Sequence, residues 1–250
     1  MGRITFLLIA LLTTTPRTTT SAETTDASLL VFTKTAEYRH ESIANGVQML
    51  RELGKEHGFA IDHSEDAAVF ETATLDNYAA IVFLSTTGDV LNEQQQAGLQ
   101  EYIRNGGSYL GIHAAADTEH DWPWYGGLVG AWFSNHPEIQ PAVVEVADRK
   151  HSSTRMLPER WPRTDEWYNY HRNPRGEVHV LMTLDEETYE GGEHGGDHPI
   201  AWCHIYEAAR SWYTGGGHTE ESYAEPLFRA HVLGGIRWVL GGEGECSSGS

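Results

Sequence analysis

Residues 106–127 read GGSYLGIHAAADTEHDWPWYGG. A glycine pair, five residues patterned as a buried strand (Ser108–Ile112) and a turn of small residues form an elbow that presents a side chain at the end of a strand. At the tip of this elbow stands His113, where a serine or cysteine nucleophile is usual.

Working backwards, the same kind of strand recurs. SLLVFT (28–33), FAIDH (59–63) and AAIVFLS (79–85) are short apolar runs. Ile43, Val47, Leu50 and Leu53 recur at helical spacing between the first two, with Gly54 and Gly58 closing that helix. NEQQQAGLQEYIR (92–104) is an amphipathic helix with Asn92 as N-cap. Apolar strands alternating with helices predict parallel β-α-β units covered on both faces. Ligands of such sheets bind beyond the strands' carboxyl ends. That edge would gather the segments after Thr33 and His63, residues 85–88 and the His113–Asp117 turn.

The second half is richer in strands. PAVVEVA (141–147), EWYNY (166–170), VHVLMTL (178–184) and PIAWCHIY (199–206) fit that pattern, the last pairing by hairpin with Ser211–Thr214. Leu227–Leu240 is a closing helix that tolerates Gly234-Gly235, and residues 242–250 are expected to be a flexible tail. No repeat or linker divides the chain, so residues 28–241 read as one α/β domain with β-rich insertions.

Residues 1–22 have the features of a secretory signal peptide: Arg3, an apolar run ITFLLIALL (4–12) and a Thr20-Ser21-Ala22 cleavage site. No other stretch is long and apolar enough to span a membrane. The expected location is therefore secreted or periplasmic. A formal charge of −19 over 250 residues argues against nucleic acid and anionic polymers as partners. Cys203, in an apolar run, and Cys246, in a Gly/Ser tail, allow one disulfide or two separate thiols.

Fourteen histidines stand out from composition. His57, His171, His179, His194 and His231 read as surface or structural residues, and His120 and His151 as members of polar loops. A second set has a more suggestive context. Arg39-His40 follows the first strand, His113 ends the fourth, and His136, His198 and His218 stand in FSNHP, GGDHP and GGGHT. Asp165-Glu166 adds carboxylates. Imidazole and carboxylate can hold a divalent metal such as zinc, or serve as general acid and base. Without HExxH or CxxC spacing the residue types leave both open. Trp122, Trp124, Tyr125 and Trp132 suit stacking on sugar rings and equally suit a core. Ser85, in LSTTG, fits an oxyanion or substrate-contacting loop better than a nucleophile, and Cys203 lies mid-strand, so covalent catalysis is disfavoured.

In this order YRHESIANGVQML (38–50), VFLSTTGDVL (82–91), residues 106–137, DEWYNY (165–170), GGDHPIAWCH (195–204) and YTGGGHTEESY (213–223) resemble the ThuA-like, or trehalose-utilisation, family. The resemblance implies a flavodoxin-like, class I glutamine amidotransferase-like α/β fold: a parallel sheet flanked by helices. It implies that His113 takes the elbow position of the amidotransferase cysteine, so no amidotransfer is expected. It also implies carbohydrate chemistry. The expectation is an exported protein acting on a disaccharide, glycoside or keto-sugar as a hydrolase, lyase or isomerase. His113, Glu166 and His218 are its candidate catalytic residues. Arg39, His40, Thr87, Asp117, Trp122, His136 and His198 are candidates to bind a small carbohydrate, with His113, His136, His198 and His218 available to a metal. A non-catalytic sugar-binding protein using the same pocket is the alternative.

Overall fold

A computed structural model describes residues 1–2, 27–71 and 73–246. The leader apart from its first two residues, and the last four residues of the tail, lie outside the described residues. Four strands build the first half as the apolar runs require: β1 (Ser28–Phe32), β2 (Ala60–Ser64), β3 (Ala80–Leu84) and β4 (Ser108–Ile112). Every residue of β3 and β4 is buried, because helices cover both faces. Between them run α1 (Ile43–His57) and α2 (Glu93–Arg104). Gly58 takes the left-handed C-cap conformation that ends α1, at φ +81°. Asn92 caps α2 in a reciprocal box, its side chain accepting from Gln95 N while Gln95 Oε1 accepts from Asn92 N.

The second half contributes α3 (Pro123–Val129), β5 (Phe133–Asn135), β6 (Gln140–Val146), β7 (Arg160–Asp165), β8 (Asn169–Tyr170), β9 (His179–Asp185), β10 (His198–Tyr206), β11 (Ala209–Thr214), α4 (Glu220–Ala224) and α5 (Pro226–Val239). Its strands extend the first sheet instead of forming a separate insertion. The order is β2-β1-β3-β4-β11-β10-β9-β6-β7, with β5 and β8 as a two-stranded annex. The first five strands of that order are parallel and the remaining pairings antiparallel. Adjacent glycines in α5 allow close packing: a Cβ at Gly234 would sit 2.2 Å from the Ser152 carbonyl oxygen, and one at Gly235 would sit 2.6 Å from the Trp212 ring of β11.

Two expectations change. The strand expected at 166–170 is mostly a connection, and the strand lies just before it, in RWPRTD. Pro162 disguises β7, yet β7 is the last strand of the sheet, where one side needs no ladder donors. Asp165 and Glu166 therefore sit at a strand's carboxyl end, the same edge that β4 and β11 present. The tail is also anchored further than expected. Trp238 Nε1 donates to Gly244 O at 3.1 Å, Arg210 Nη1 donates to Gly242 O at 2.8 Å, and Cys203 and Cys246 form a disulfide. The thiols are thus paired, and Cys246 is buried.

Candidate functional site

Four strand ends converge on one cluster. The elbow after β4 places His113 in the left-handed backbone region (φ +52°), and Ser85 does the same after β3 (φ +48°). Such backbone is strained for a residue with a Cβ and tends to mark functional positions. The His113 side chain is fully buried. Its Nδ1 lies 2.9 Å from Gly215 O and must donate there, which leaves a lone pair on Nε2 of the neutral ring. That lone pair faces His218 Nδ1 at 3.1 Å and Glu166 Oε2 at 3.5 Å. Tyr168 lies across the ring, centroids 4.3 Å apart, and Tyr213 Oη donates to His113 O.

His218 follows β11 on the Gly215–Gly217 run. Its Nδ1 is 3.0 Å from Glu166 Oε2. Asp165 fixes this loop, its two oxygens accepting from Gly217 N at 2.8 Å and His218 N at 3.0 Å. Asp165 is itself fully buried, 3.1 Å from Arg163 Nη2 and 3.0 Å from Ser222 Oγ. A short anchored chain thus runs from the last strand of the sheet to a loop four strands away. The antiparallel half curves back over the edge of the parallel half.

His40 completes the cluster from the loop after β1. Its ring meets His113 and His218 edge-on at 4.8 and 5.0 Å. It is buried, and its Nδ1 has no hydrogen-bond partner. His136 approaches from the rim, with Nδ1 3.1 Å from Glu166 Oε1 and 2.9 Å from Pro137 O. Both neighbours are acceptors, so Nδ1 carries the proton and the lone pair sits on Nε2 of a 40% exposed side chain.

The electrostatics follow from these neighbours. Burial, then the His113 and His218 imidazoles, push His40 down to about 2, so this ring is neutral and a free ligand. Burial alone would raise the Glu166 carboxyl, but the imidazoles packed against it, with His218 Nδ1 donating, hold it well below the usual carboxylate range. For His218 burial is outweighed by the Glu166 carboxylate, so its proton affinity rises.

One nitrogen or oxygen atom from each of His40, His113, Glu166 and His218 falls within 4.8 Å of the others. The donor set of imidazoles and one carboxylate is that of a divalent transition metal. The partnerless nitrogen of His40 and the tautomer of His113 fit the same demand, since one ring has an unmatched buried nitrogen and the other turns Nε2 to the cluster. The residues present therefore fit a metal ion.

Other candidates lie apart. His198 is fully buried and structural: Nδ1 is 2.7 Å from Glu186 Oε1 and Nε2 donates to Tyr168 O at 2.8 Å. It steadies the Glu166–Tyr168 segment and does not join the cluster. Thr87 is buried and its hydroxyl donates to Tyr38 O. Arg39 turns outward to Glu65 at 2.6 Å. Trp122 stacks on Trp124, whose Nε1 reaches Glu207 on the β10–β11 hairpin, the far end of the sheet. Asp117 pairs with His120 at 2.9 Å, and His120 stacks on Trp132. Trp167, Trp202 and Trp212 belong to the core. Near the cluster, Tyr38 is the exposed aromatic, at 61%, its ring 4.8 Å from that of His40. A cavity of about 520 Å³ elsewhere, along α5 beside His57, Arg155 and Arg237, contains none of the cluster residues. Sequence reading noted Asp165 only as a neighbouring carboxylate; its role depends on two backbone amides 52 and 53 residues away.

Comparisons with known proteins agree with this architecture. A ThuA-like protein from Bacteroides uniformis ATCC 8492 is 25% identical, with a TM-score of 0.76 over 90% of this chain and 95% of that one. A ThuA-like protein from Parabacteroides merdae ATCC 43184 is 20% identical, with a TM-score of 0.73 over 87% and 91%. The β-galactosidase from Bacillus circulans sp. alkalophilus shares the fold alone, at 12% identity and a TM-score of 0.53 over 86% of this chain and 30% of that one. No curated protein sequence matches. The family described as ThuA, trehalose utilisation, matches residues 28–239. The chain belongs to the ThuA family.

Proposed function

We propose that this protein is a metal-assisted, carbohydrate-active enzyme that moves protons on a keto-sugar or a glycoside derived from one. The observation that carries the reading is the cluster of His40, His113, Glu166 and His218, with a buried imidazole nitrogen left without a partner. These four residues would hold a divalent cation such as zinc. When bound, the cation supplies positive charge that stabilises an oxyanion developing on the substrate.

The chain's own groups supply the proton transfers. Glu166 divides its two oxygens: Oε2 faces His113 and His218, while Oε1 accepts the His136 Nδ1 proton. That hydrogen bond orients His136 and leaves Nε2 ready to take a proton from carbon or oxygen beside a sugar carbonyl. The group that takes the proton can return it to a neighbouring atom, giving isomerisation, or a leaving group can depart, giving elimination. Tyr38 offers a partly exposed ring for the C–H face of a sugar, which supports the substrate class together with the family's trehalose-utilisation description. Among the described residues no serine or cysteine hydrogen-bonds to a side chain of the cluster, which favours acid–base over covalent chemistry. The apolar leader and a disulfide suit export to the periplasm or outside the cell.

The test is proton exchange. Keto-sugars and their glycosides are incubated in D2O with the protein and Zn2+, Mn2+ or Co2+, and carbon-bound deuterium is followed by NMR. Expected is exchange or turnover that His136→Ala reduces by about 100-fold or more. Calorimetric binding of these sugars without exchange under any metal would establish the sugar-binding alternative instead.

A further inference from the structure

A second cluster lies away from the strand-edge site. His151, expected in a polar loop, is fully buried on the turn after β6, and its Nε2 has no hydrogen-bond partner. Its Nδ1 accepts from Ser153 N at 3.1 Å and lies 2.8 Å from Ser153 Oγ. The unmatched nitrogen therefore faces the other way, beneath the anchored tail. A Cβ built on Gly244 would sit 3.2 Å from that Nε2, so the tail presses directly on the ring. One ligand atom of His151 and the sulfurs of Cys203 and Cys246 fall within 4.8 Å of one another. Both cysteines are buried as well.

We propose that the reduced chain carries a thiolate–imidazole site for a soft divalent metal, Zn2+ or Cd2+, formed by Cys203, Cys246 and His151, and that oxidation to the disulfide abolishes it. The two states use the same atoms. Reduction by a thiol or phosphine adds two electrons and two protons to the Cys203–Cys246 bond, giving two thiols. The metal then displaces both protons to solvent, and two thiolates with one neutral imidazole give a site of zero net charge, which suits burial. Ligation by Nε2 requires the ring proton to shift to Nδ1. Ser153 Oγ is placed to accept it there, at the expense of the bond that Nδ1 accepts from Ser153 N in the oxidised form. Burial, the leading influence on this ring, pushes its proton affinity down to about 4, so the imidazole is neutral near pH 7.

In the oxidised form shown here the sulfurs lack the charge to hold a metal, and the buried nitrogen is left unmatched. The tail then depends on the covalent bond. In the reduced form the metal would take over that tie, linking β10, the His151 turn and residue 246 before the disulfide closes. This gives a freshly made chain a cross-link in either redox state.

Cadmium is the probe, because its thiolate charge-transfer absorption ignores the nitrogen- and oxygen-rich strand-edge cluster. The full chain is reduced with a phosphine, excess phosphine is removed, and Cd2+ is titrated in. The proposal expects one equivalent bound with the band of two thiolates, a 113Cd NMR shift typical of mixed sulfur–nitrogen ligation, and no band in the oxidised protein. His151→Ala should weaken the site by about tenfold or more, with circular dichroism of its oxidised form reporting the fold. Absence of the band in reduced wild-type protein would overturn the proposal, and so would a 113Cd shift showing sulfur without nitrogen. Both of those readouts need no variant to fold.

Discussion

With His151 beneath the tail set apart, buried histidines of the core and of the strand edge are treated in opposite ways. In the core His231 has both nitrogens matched, Nδ1 to Ser153 O at 2.9 Å and Nε2 to Thr214 Oγ1 at 3.1 Å. His198 likewise has Glu186 on one side and Tyr168 O on the other. At the strand edge His40 is also buried but its Nδ1 has no partner, and His113 turns its Nε2 to the cluster. Burial therefore says little about function here. Unspent hydrogen-bonding capacity says more, because a buried polar atom left unmatched costs about 1–3 kcal/mol and persists only where something else uses it.

The largest effect should come from removing the group that serves both sides of the edge cluster. Glu166→Gln keeps the shape and removes the charge that faces His113 and His218 while orienting His136. Expected is a loss of at least about 1,000-fold in turnover and loss of cation binding by calorimetry, with little change in thermal midpoint. Retained cation affinity in this variant would show that the cluster is held together by ordinary hydrogen bonds, like the core histidines.

Asp165→Asn separates geometry from chemistry. Asp165 is a positioning residue: it holds the His218 backbone amide and is paired with the buried Arg163. Breaking a buried ion pair costs about 3–5 kcal/mol. Displacing His218 should also weaken cation binding by about 10- to 100-fold, as outer-shell substitutions do. Both readings come from the same protein, by urea denaturation and calorimetry. A drop in stability with unchanged cation affinity would mean that His218 is fixed without Asp165.

How much of this was legible in the sequence depends on whether a contact is local. The parallel strands, the capped α2 and the His113 elbow declare themselves within a few residues, through apolar runs, Asn92 and the glycines. The topological rule about strand ends gathers His40 and His113; Glu166, read as opening a strand, and His218, marked only by its glycines, are joined to them by the fold. Tautomers, unmatched nitrogens and the Asp165 clamp were not legible, since they depend on atoms that the fold brings together, 102 residues apart for His113 and Gly215 and 53 for Asp165 and His218. His198 shows the same limit from the other side: its GGDHP context resembles that of a site residue, and only its partners reveal a support. β7 was hidden because Pro162 disguises an edge strand.

The smallest effect tests the core side of the comparison through pH. Burial, the first cause, pushes His231 from 6.5 down to about 3. The folded ring is neutral at pH 5, whereas the unfolded chain takes up a proton below 6.5. The unfolded state then binds more protons, so this contribution to stability is complete above about pH 6.5 and is lost as pH falls toward 3. The slope for one group is about 1.4 kcal/mol per pH unit within that window. Carboxylates titrate over part of the same range, so the wild type alone is uninformative, and His231→Gln supplies the reference. At pH 7.5 the variant should be the less stable, having exchanged two well-placed hydrogen bonds for a flexible amide. As pH drops from 6 to 4 its deficit should shrink by roughly 1.4 kcal/mol per unit, because glutamine carries no titrating proton. A deficit that stays constant over that range would mean that His231 protonates as readily in the folded protein as in the unfolded chain. The core ring, despite its matched nitrogens, would then have acid–base freedom of the kind assigned only to the strand edge.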